Sequence, residues 1–256
     1  MAIKKFENNE INTQEVRINK FLTDASYCSR RKADELIASG KVTIDGKVAE
    51  LGAKVKEGSE VRVNGEIIKK ENNLVLIAFN KPLGITCTTD QRDPDNIIDY
   101  IKYPKRIYPI GRLDKNSEGL ILLTNDGDIV NKILRASNNH EKEYEVIVNK
   151  PVTDEFIKKM SQGVYLPELK TVTKPCKITK TGMNSFNIIL TQGLNRQIRR
   201  MVDAQDYRVL SLRRIRIMHI RLGRLHVGGY RNLDLGELRQ LEEELSRSTG
   251  KPAKDC

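Results

Sequence analysis

The sequence predicts an α+β protein in two parts, and three observations carry that reading. Short helical patterns with recognisable caps alternate along the chain with short apolar runs of strand character. Those runs are interrupted by turn signals such as Asp45-Gly46 and Asn125-Asp126-Gly127. A polar, lysine-rich stretch from Asn64 to Asn73 separates a small first part from a larger second one. The length of 256 residues suits one large or two modest domains and is enough to bury a core. The expected boundaries are a flexible tail over 1–15, a domain over 16–63, a linker over 64–73, a second domain over 74–245 and a tail over 246–256.

Taken in order, the first part begins at Val16, where Ile18, Phe21 and Leu22 recur at helical spacing before a break at Asp24 to Tyr27. Ser29 is placed to cap a helix from Arg30 to Ser39, closed by Gly40, with Ala33, Leu36 and Ile37 on its apolar face. Arg30, Arg31 and Lys32 crowd the first turn, where cations oppose the helix dipole unless an anion is supplied. They make a phosphate site, or they simply point into water. Lys41 to Ile44, the Asp45-Gly46 turn and Lys47 to Ala49 read as a hairpin. Val55 and Val61 to Val63, around Gly58, read as a further strand.

The second part opens with a buried strand, Leu74 to Phe79, and an Asn80-Lys81-Pro82-Leu83-Gly84 turn. Gln91 to Asp99 reads as a polar, mobile loop. Asp128 to Arg135 is expected to be a helix with Ile129, Ile133 and Leu134 inward. Tyr144, Val146 and Val148 alternate as in a half-buried strand, and Thr153 caps a helix over Asp154 to Met160 that Gly163 ends. Strands are expected near Lys177 to Thr179, Phe186 to Leu190, Leu210 to Arg216 and Leu222 to Val227, and a helix from Leu233 to Leu245.

Composition narrows the function classes. A hydrophobic content of 38% with 31% charged residues indicates a soluble globular chain. Forty-five Lys and Arg against 34 Asp and Glu leave a net charge of +11, which favours a polyanionic partner, nucleic acid first. A merely basic, solvated surface is the alternative. Cys28, Cys87, Cys176 and Cys256 are scattered without a Cys-x-x-Cys pair, which fits a reducing cytoplasm and neither a zinc site nor a disulfide framework. His140, His219 and His226 form no metal-ligand pattern, and the last two read as surface or groove residues. No apolar run approaches bilayer length, so the expectation is a cytoplasmic protein with no membrane partner. Glycine loops of the dinucleotide and P-loop kinds do not occur.

Two segments carry chemistry. Between a β-rich run, Arg106 to Ile110, and an apolar run, Leu120 to Leu123, lies a glycine-bounded loop with Arg112, Asp114, Lys115, Ser117 and Glu118. A carboxylate two residues from a guanidinium can be a nucleophile, an acid/base or a salt-bridged anchor in a polar hairpin. Further on, Gln192 to Asp203 places Arg196, Arg199 and Arg200 on one helix face with Ile198, Met201 and Val202 opposite. Asn195 is the expected N-cap. The plain alternative is a charged surface helix with an Arg199–Asp203 pair.

Gly111-Arg112-Leu113-Asp114, with Ser117-Glu118-Gly119-Leu120 and Leu122 to Gly127, resembles the signature of RsuA-type RNA pseudouridine synthases over its whole length. Asn195-Arg196-Gln197-Ile198-Arg199-Arg200-Met201 is similar to the last motif of that family, and Lys142-Glu143-Tyr144 to its Lys-x-Tyr strand. The module beginning Arg17-Ile18-Asn19-Lys20, with Cys28 to Ile37, Gly40 to Val42 and Asp45-Gly46, resembles an S4 RNA-binding domain. The resemblance runs from about residue 16 to 233 and is nearest to the RluF type.

It implies a catalytic domain built on a mixed, mainly antiparallel sheet with flanking helices. Asp114 is then the catalytic residue, acting on C1′ or on a sugar proton. Arg199 pairs with it and Tyr144 stacks on the target base. Arg112, Lys142, Asn195, Arg196 and Arg200 become substrate-binding, and Arg17, Asn19, Lys20, Ser29, Arg30, Arg31 and Lys32 grip RNA. The implied substrate is large-subunit ribosomal RNA, with transfer RNA as a further candidate target, handled by a monomer. An isomerisation of this kind needs no cofactor and no metal. Two other classes stay open: a non-catalytic RNA-binding protein, which has no use for Asp114, Tyr144 and Arg199 together, and a glycosidase, with Glu118 as second carboxylate.

Overall fold

Ser29 caps its helix as the sequence requires: its Oγ accepts a hydrogen bond from the Lys32 N–H at 3.2 Å. In the computed structural model, which describes residues 15–69, 74–134 and 139–246, this cap belongs to the first of two compact units. That unit is formed by the chain up to Val75 with Pro104–Arg106 and Asn125–Gly127. The expected tails and Arg135 lie outside the described residues, apart from Glu15 and Ser246.

In the first unit, β1 (Val16–Arg17) runs into α1 (Ile18–Asp24), and α2 (Arg30–Ala38) follows. Then come β2 (Val42–Ile44), β3 (Lys47–Val48), β4 (Lys54–Val55), β5 (Val61–Val63) and β6 (Glu66–Ile67). Ile18, Leu22, Ala33, Ile37, Val42, Val61 and Val63 bury one another in its core. Val55 and Val61–Val63 do not share a strand, contrary to expectation. Val55 pairs with Val16, while β5 pairs with β2 in a sheet of order β3-β2-β5-β6. Asn64 and Gly65, both with positive φ, turn β5 back into β6, so residues read as linker continue this sheet. Asn-Gly between extended residues is the usual sequence signal for that turn.

The second unit holds β7 (Leu76–Lys81), α3 (Ile97–Ile101), β8 (Tyr108–Pro109), β9 (Glu118–Thr124), α4 (Gly127–Leu134), β10 (Lys142–Val148), α5 (Asp154–Ser161), β11 (Tyr165–Leu166), β12 (Thr171–Val172), β13 (Lys177–Gly182), β14 (Ser185–Leu190), α6 (Gln197–Asp203), β15 (Val209–Ile217), β16 (Ile220–Arg221), β17 (Tyr230–Asn232) and α7 (Leu235–Ser246). Its sheet has the order β13-β14-β10-β15-β9-β7-β17, with β16 on β15 and β8 on β9. The β15–β9 contact is parallel and the other named strand pairs of this sheet are antiparallel. Leu120 to Leu123 are all fully buried, which explains a continuous apolar run where a half-exposed strand would alternate. α5 and α6 bury Phe156, Met160, Met201 and Val202 against Val146, Phe186 and Ile188 of the sheet.

Three expectations change here. The polar loop ends at Asn96, because Asn96 Oδ1 accepts from the Asp99 N–H at 2.8 Å and starts α3. Leu134 is 41% exposed, since α4 turns only Ile129 and Ile133 into the core. Leu222 to Val227 forms no strand; Gly223 and Gly228 take positive φ there, and the strands are β16 and β17 on either side.

Gly119 shows what this sheet demands of its sequence. At φ +102° it lies opposite Arg214 on β15, and a Cβ at that position would fall 2.3 Å from the Arg214 carbonyl oxygen. The Arg214 nitrogen would lie 2.8 Å away, and both atoms are backbone, so neither can yield. Gly119→Ala should destabilise the second unit by about 3 kcal/mol or more, through strained φ and forced strand separation. Gly223→Ala, at φ +58° with open space around it, should cost about 1 kcal/mol. Urea midpoints of the two variants check the difference.

Candidate active site

Asp114 stands on the loop between β8 and β9, and that loop is tied down from several sides. Gly111 takes φ +77°, which favours glycine, and a Cβ there would fall 2.9 Å from Leu134 Cδ2. Leu113 is buried and donates its N–H to Cys87 Sγ at 3.3 Å. The Ser117 N–H closes on the Asp114 carbonyl at 3.0 Å, and the Gly84 N–H on the Lys115 carbonyl at 2.9 Å. The Lys81 to Gly84 turn thus supports the carboxylate-bearing loop. Lys81 itself is fully buried, with its ammonium donating to the Pro82 and Ile85 carbonyls at 2.8 and 2.7 Å. Burial pushes its pKa down.

Two guanidiniums approach the Asp114 carboxylate. Arg196 Nη1 is 3.9 Å and Arg199 Nε 4.0 Å from Oδ2, within ion-pair reach and beyond hydrogen-bond length. Arg199 is anchored on the same loop, its Nη2 donating to the Asn116 carbonyl at 2.6 Å and Ser117 Oγ at 3.3 Å. Its buried Nε has no hydrogen-bond partner among the described residues. Burial, then the Arg196 charge, lowers the Arg199 pKa; Asp114 opposes both.

The arginine segment departs from its sequence reading. Residue 196, not Asn195, occupies the N-cap position, in left-handed conformation and without a side-chain cap. Arg196 therefore leaves the helix face and swings to Asp114. Arg200 turns the other way, donating to the Asn195 carbonyl at 3.0 Å and pairing with Glu168. It does not face the groove. Gln197, at 4% exposure, holds the turn by accepting from the Leu194 N–H at 3.0 Å.

Tyr144 lies on β10 in register with Ile188 of β14 and Arg214 of β15. Lys142, two residues earlier on that strand, donates to the His140 carbonyl at 3.1 Å. Burial, then the Arg214 charge, pulls its pKa down to about 8. A cleft of about 980 Å³ is lined by Arg112, Asp114, Lys142, Tyr144, Asn195, Arg196 and Arg214, with Thr88 and Thr89 also on its wall. Sequence reasoning missed Arg214, which is 3% exposed. Its only signal was a basic residue in an alternating strand, where a solvent-facing side chain is the default. His219, read as a surface or groove residue, lies against α7, with its ring nitrogens 3.0 Å from Glu244 Oε1 and 2.9 Å from the Glu237 carbonyl.

In the first unit Arg17, Arg30 and Arg31 are exposed. Lys32 is exposed but pairs with Glu35 at 2.9 Å. Asn19 donates to Asp34 at 2.9 Å and Lys20 pairs with Asp24 at 2.8 Å, so these two serve the fold as well. Ser29 is the cap.

A carboxylate between guanidiniums, with an aromatic ring and further cations in the same cleft, suits an enzyme whose substrate is anionic and carries a flat group. Comparison with known proteins agrees on that class. Residues 75–204 match the family model described as RNA pseudouridylate synthase, and 16–61 the model of the S4 domain. The chain is 51% identical over 236 residues to dual-specificity RNA pseudouridine synthase RluF of Escherichia coli (strain K12), covering 91% of this chain and 81% of that protein. It is 36% identical over 232 residues to ribosomal large subunit pseudouridine synthase B of Bacillus subtilis (strain 168), covering 88% and 95%. A crystal structure of a pseudouridylate synthase superposes with a TM-score of 0.66 at 28% identity, over 88% of this chain and 99% of that one. The chain belongs to the RNA pseudouridylate synthase family, with an S4 domain preceding the catalytic fold. It is an RNA pseudouridine synthase, and the α+β class with a mixed sheet is the one its sequence predicts.

The geometry separates two neighbouring arginines. Arg199→Ala should lower single-turnover rate on the order of 100-fold or more, by removing the buried charge beside Asp114. Arg200→Ala, which loses only contacts to Asn195 and Glu168, should stay within about threefold. Rates at saturating RNA distinguish them.

Proposed function

We propose that this enzyme converts uridine to pseudouridine in large-subunit ribosomal RNA, with Asp114 as its catalytic residue. The carrying observation is the Asp114 carboxylate between Arg196 and Arg199 in the cleft that Tyr144 and Lys142 also line. The target uridine leaves its stack and enters the cleft. The C1′–N1 bond breaks with its electron pair staying on the base. Asp114 either takes C1′ or removes a sugar proton, and Arg199 keeps the carboxylate oriented. The uracil turns on the Tyr144 face and C5 bonds to C1′, as the Asp114–C1′ bond breaks on the first route or the sugar proton returns from Asp114 on the second; the C5 proton then leaves and N1 gains one. Atoms balance without a cofactor or metal.

The ribosomal assignment draws on the Bacillus relative, whose name specifies the large subunit. The dual-specificity name of the Escherichia relative fits a second RNA class, for which we take transfer RNA. In this reading the enzyme works as a monomer in the cytoplasm, and the S4 domain grips RNA phosphates through Arg17, Arg30 and Arg31. Lys142, Asn195 and Arg196 contact the substrate, and Arg112 fills the space the uridine vacates or meets a phosphate.

Pseudouridine mapping in cells lacking the protein is the direct test. At least one large-subunit site should disappear, return with the wild-type gene and stay absent with Asp114→Asn. An unchanged ribosomal map would remove the substrate assignment. For the S4 domain, Arg30→Glu with Arg31→Glu should weaken RNA binding and flatten its salt dependence by about one unit per lost phosphate contact, with maximal rate kept. A collapsed maximal rate with unchanged affinity would place the domain in the chemistry.

A further inference from the structure

Arg214 is a cation that the fold has buried without fully using. Its residue is 3% exposed, yet it lines the cleft. Its Nε donates to the Leu120 carbonyl at 2.7 Å, which fixes the guanidinium to β9, the strand that leaves the Asp114 loop. The other end lies against Tyr144, with Cζ 5.9 Å from the ring centroid. Its Nη2 is shut off from solvent and has no hydrogen-bond partner among the described residues.

A donor left unsatisfied on a buried charge is costly, because it has given up water and received nothing. The Leu120 carbonyl and the Tyr144 ring use only part of the guanidinium, and Nη2 is left over. A backbone carbonyl needs one donor, and a core position under a tyrosine is met by an aliphatic side chain. The missing partner is an acceptor that arrives with the substrate, and the chemistry supplies one. When C1′–N1 breaks, the electron pair stays on the base, which departs as an anion spread over N1, O2 and O4. That anion lies on Tyr144, whose ring Arg214 already adjoins. Arg199 is committed to Asp114 on the sugar side, and the exposed Arg196 stands on that side too.

We propose that Arg214 is a further catalytic residue, whose free Nη2 donates to a carbonyl oxygen of the uracil and holds the negative charge of the detached base while it turns. The assignment rests on the pseudouridine synthase reading of this cleft. It also gives the neighbourhood a purpose: a second cation, Lys142, lines the same cleft two residues from Tyr144. The two can hold opposite ends of one conjugated anion, where a neutral base would need neither.

The test uses full-length protein and an RNA fragment that the wild-type enzyme converts, so a wrong substrate shows as no wild-type product before any variant is compared. Arg214→Met should lower the single-turnover rate about 100-fold with RNA affinity within about threefold, and Arg214→Lys should recover part of the loss. A role confined to bracing Tyr144 could give that result too, so the decisive measurement is a cycle with altered bases. Replacing the target uridine by 2-thiouridine or 4-thiouridine weakens one carbonyl acceptor at a time. Where Arg214 donates to that atom, the thio effect seen in wild type should shrink or vanish in Arg214→Met. If Arg214→Met does not fold, the same cycle is run with Arg214→Lys. Coupling to either oxygen supports the assignment. Full additivity at both oxygens, or a folded Arg214→Met within threefold of wild-type rate, overturns it.

Discussion

The close parallel approach of β9 and β15 is the constraint from which the rest of the catalytic unit follows. Only a residue without Cβ permits it, because the Arg214 backbone occupies the space over Gly119. The approach does two things at once. It sets the loop bearing Asp114 beside the strand next to Tyr144, which lies on β10 directly across from Arg214. It also carries the Arg214 guanidinium over to the Leu120 carbonyl, so the two strands are locked by a side chain as well as by their ladder. Asp114 and Tyr144 come from segments some thirty residues apart, brought together through β15.

That scaffold is loaded with buried positive charge. Lys81 is fully buried, Arg214 nearly so, and Lys142 and Arg199 are held in surroundings that lower their pKa. Against these four cations, the carboxylates that act on Lys81 are two, Asp114 and Glu118. A soluble protein selected for stability alone would replace some of these cations by aliphatic side chains, since desolvating an unpaired charge exceeds what it returns. The excess is consistent with a site whose missing charge comes with RNA, and local departures of this sort are expected where function overrides stability.

Much of the fold was legible because its signals are local. The Ser29 and Thr153 caps, the Asp45-Gly46 turn and the apolar run at Leu120 each act within a few residues, and the structure has them where they are expected. The errors share another origin. Val55 pairs with Val16, far away in sequence, so nothing near it says which sheet it joins. Residues 64–68 looked like a linker because polarity was weighed above the Asn64-Gly65 turn. The candidate site was legible through motifs for Asp114, Tyr144 and Arg199. Arg214 was not, because a basic residue in a strand reads as solvent-facing until a neighbouring strand covers it.

The helical wheel failed for Arg196 for an instructive reason. It assumes that every arginine of the segment lies on the helix, whereas Arg196 precedes it in a left-handed turn that no periodicity encodes. That single backbone step divides the charges around Asp114 into unlike kinds. The Arg199 side chain is 13% exposed and bonded to the Asn116 carbonyl, so its field acts through protein and is weakly screened. The Arg196 side chain is 47% exposed at nearly the same distance, so water and salt blunt its hold on the carboxylate. Arg199 is therefore the more firmly placed of the two cations beside Asp114. Arg196, the more exposed, is free to move while the buried partner stays beside the carboxylate.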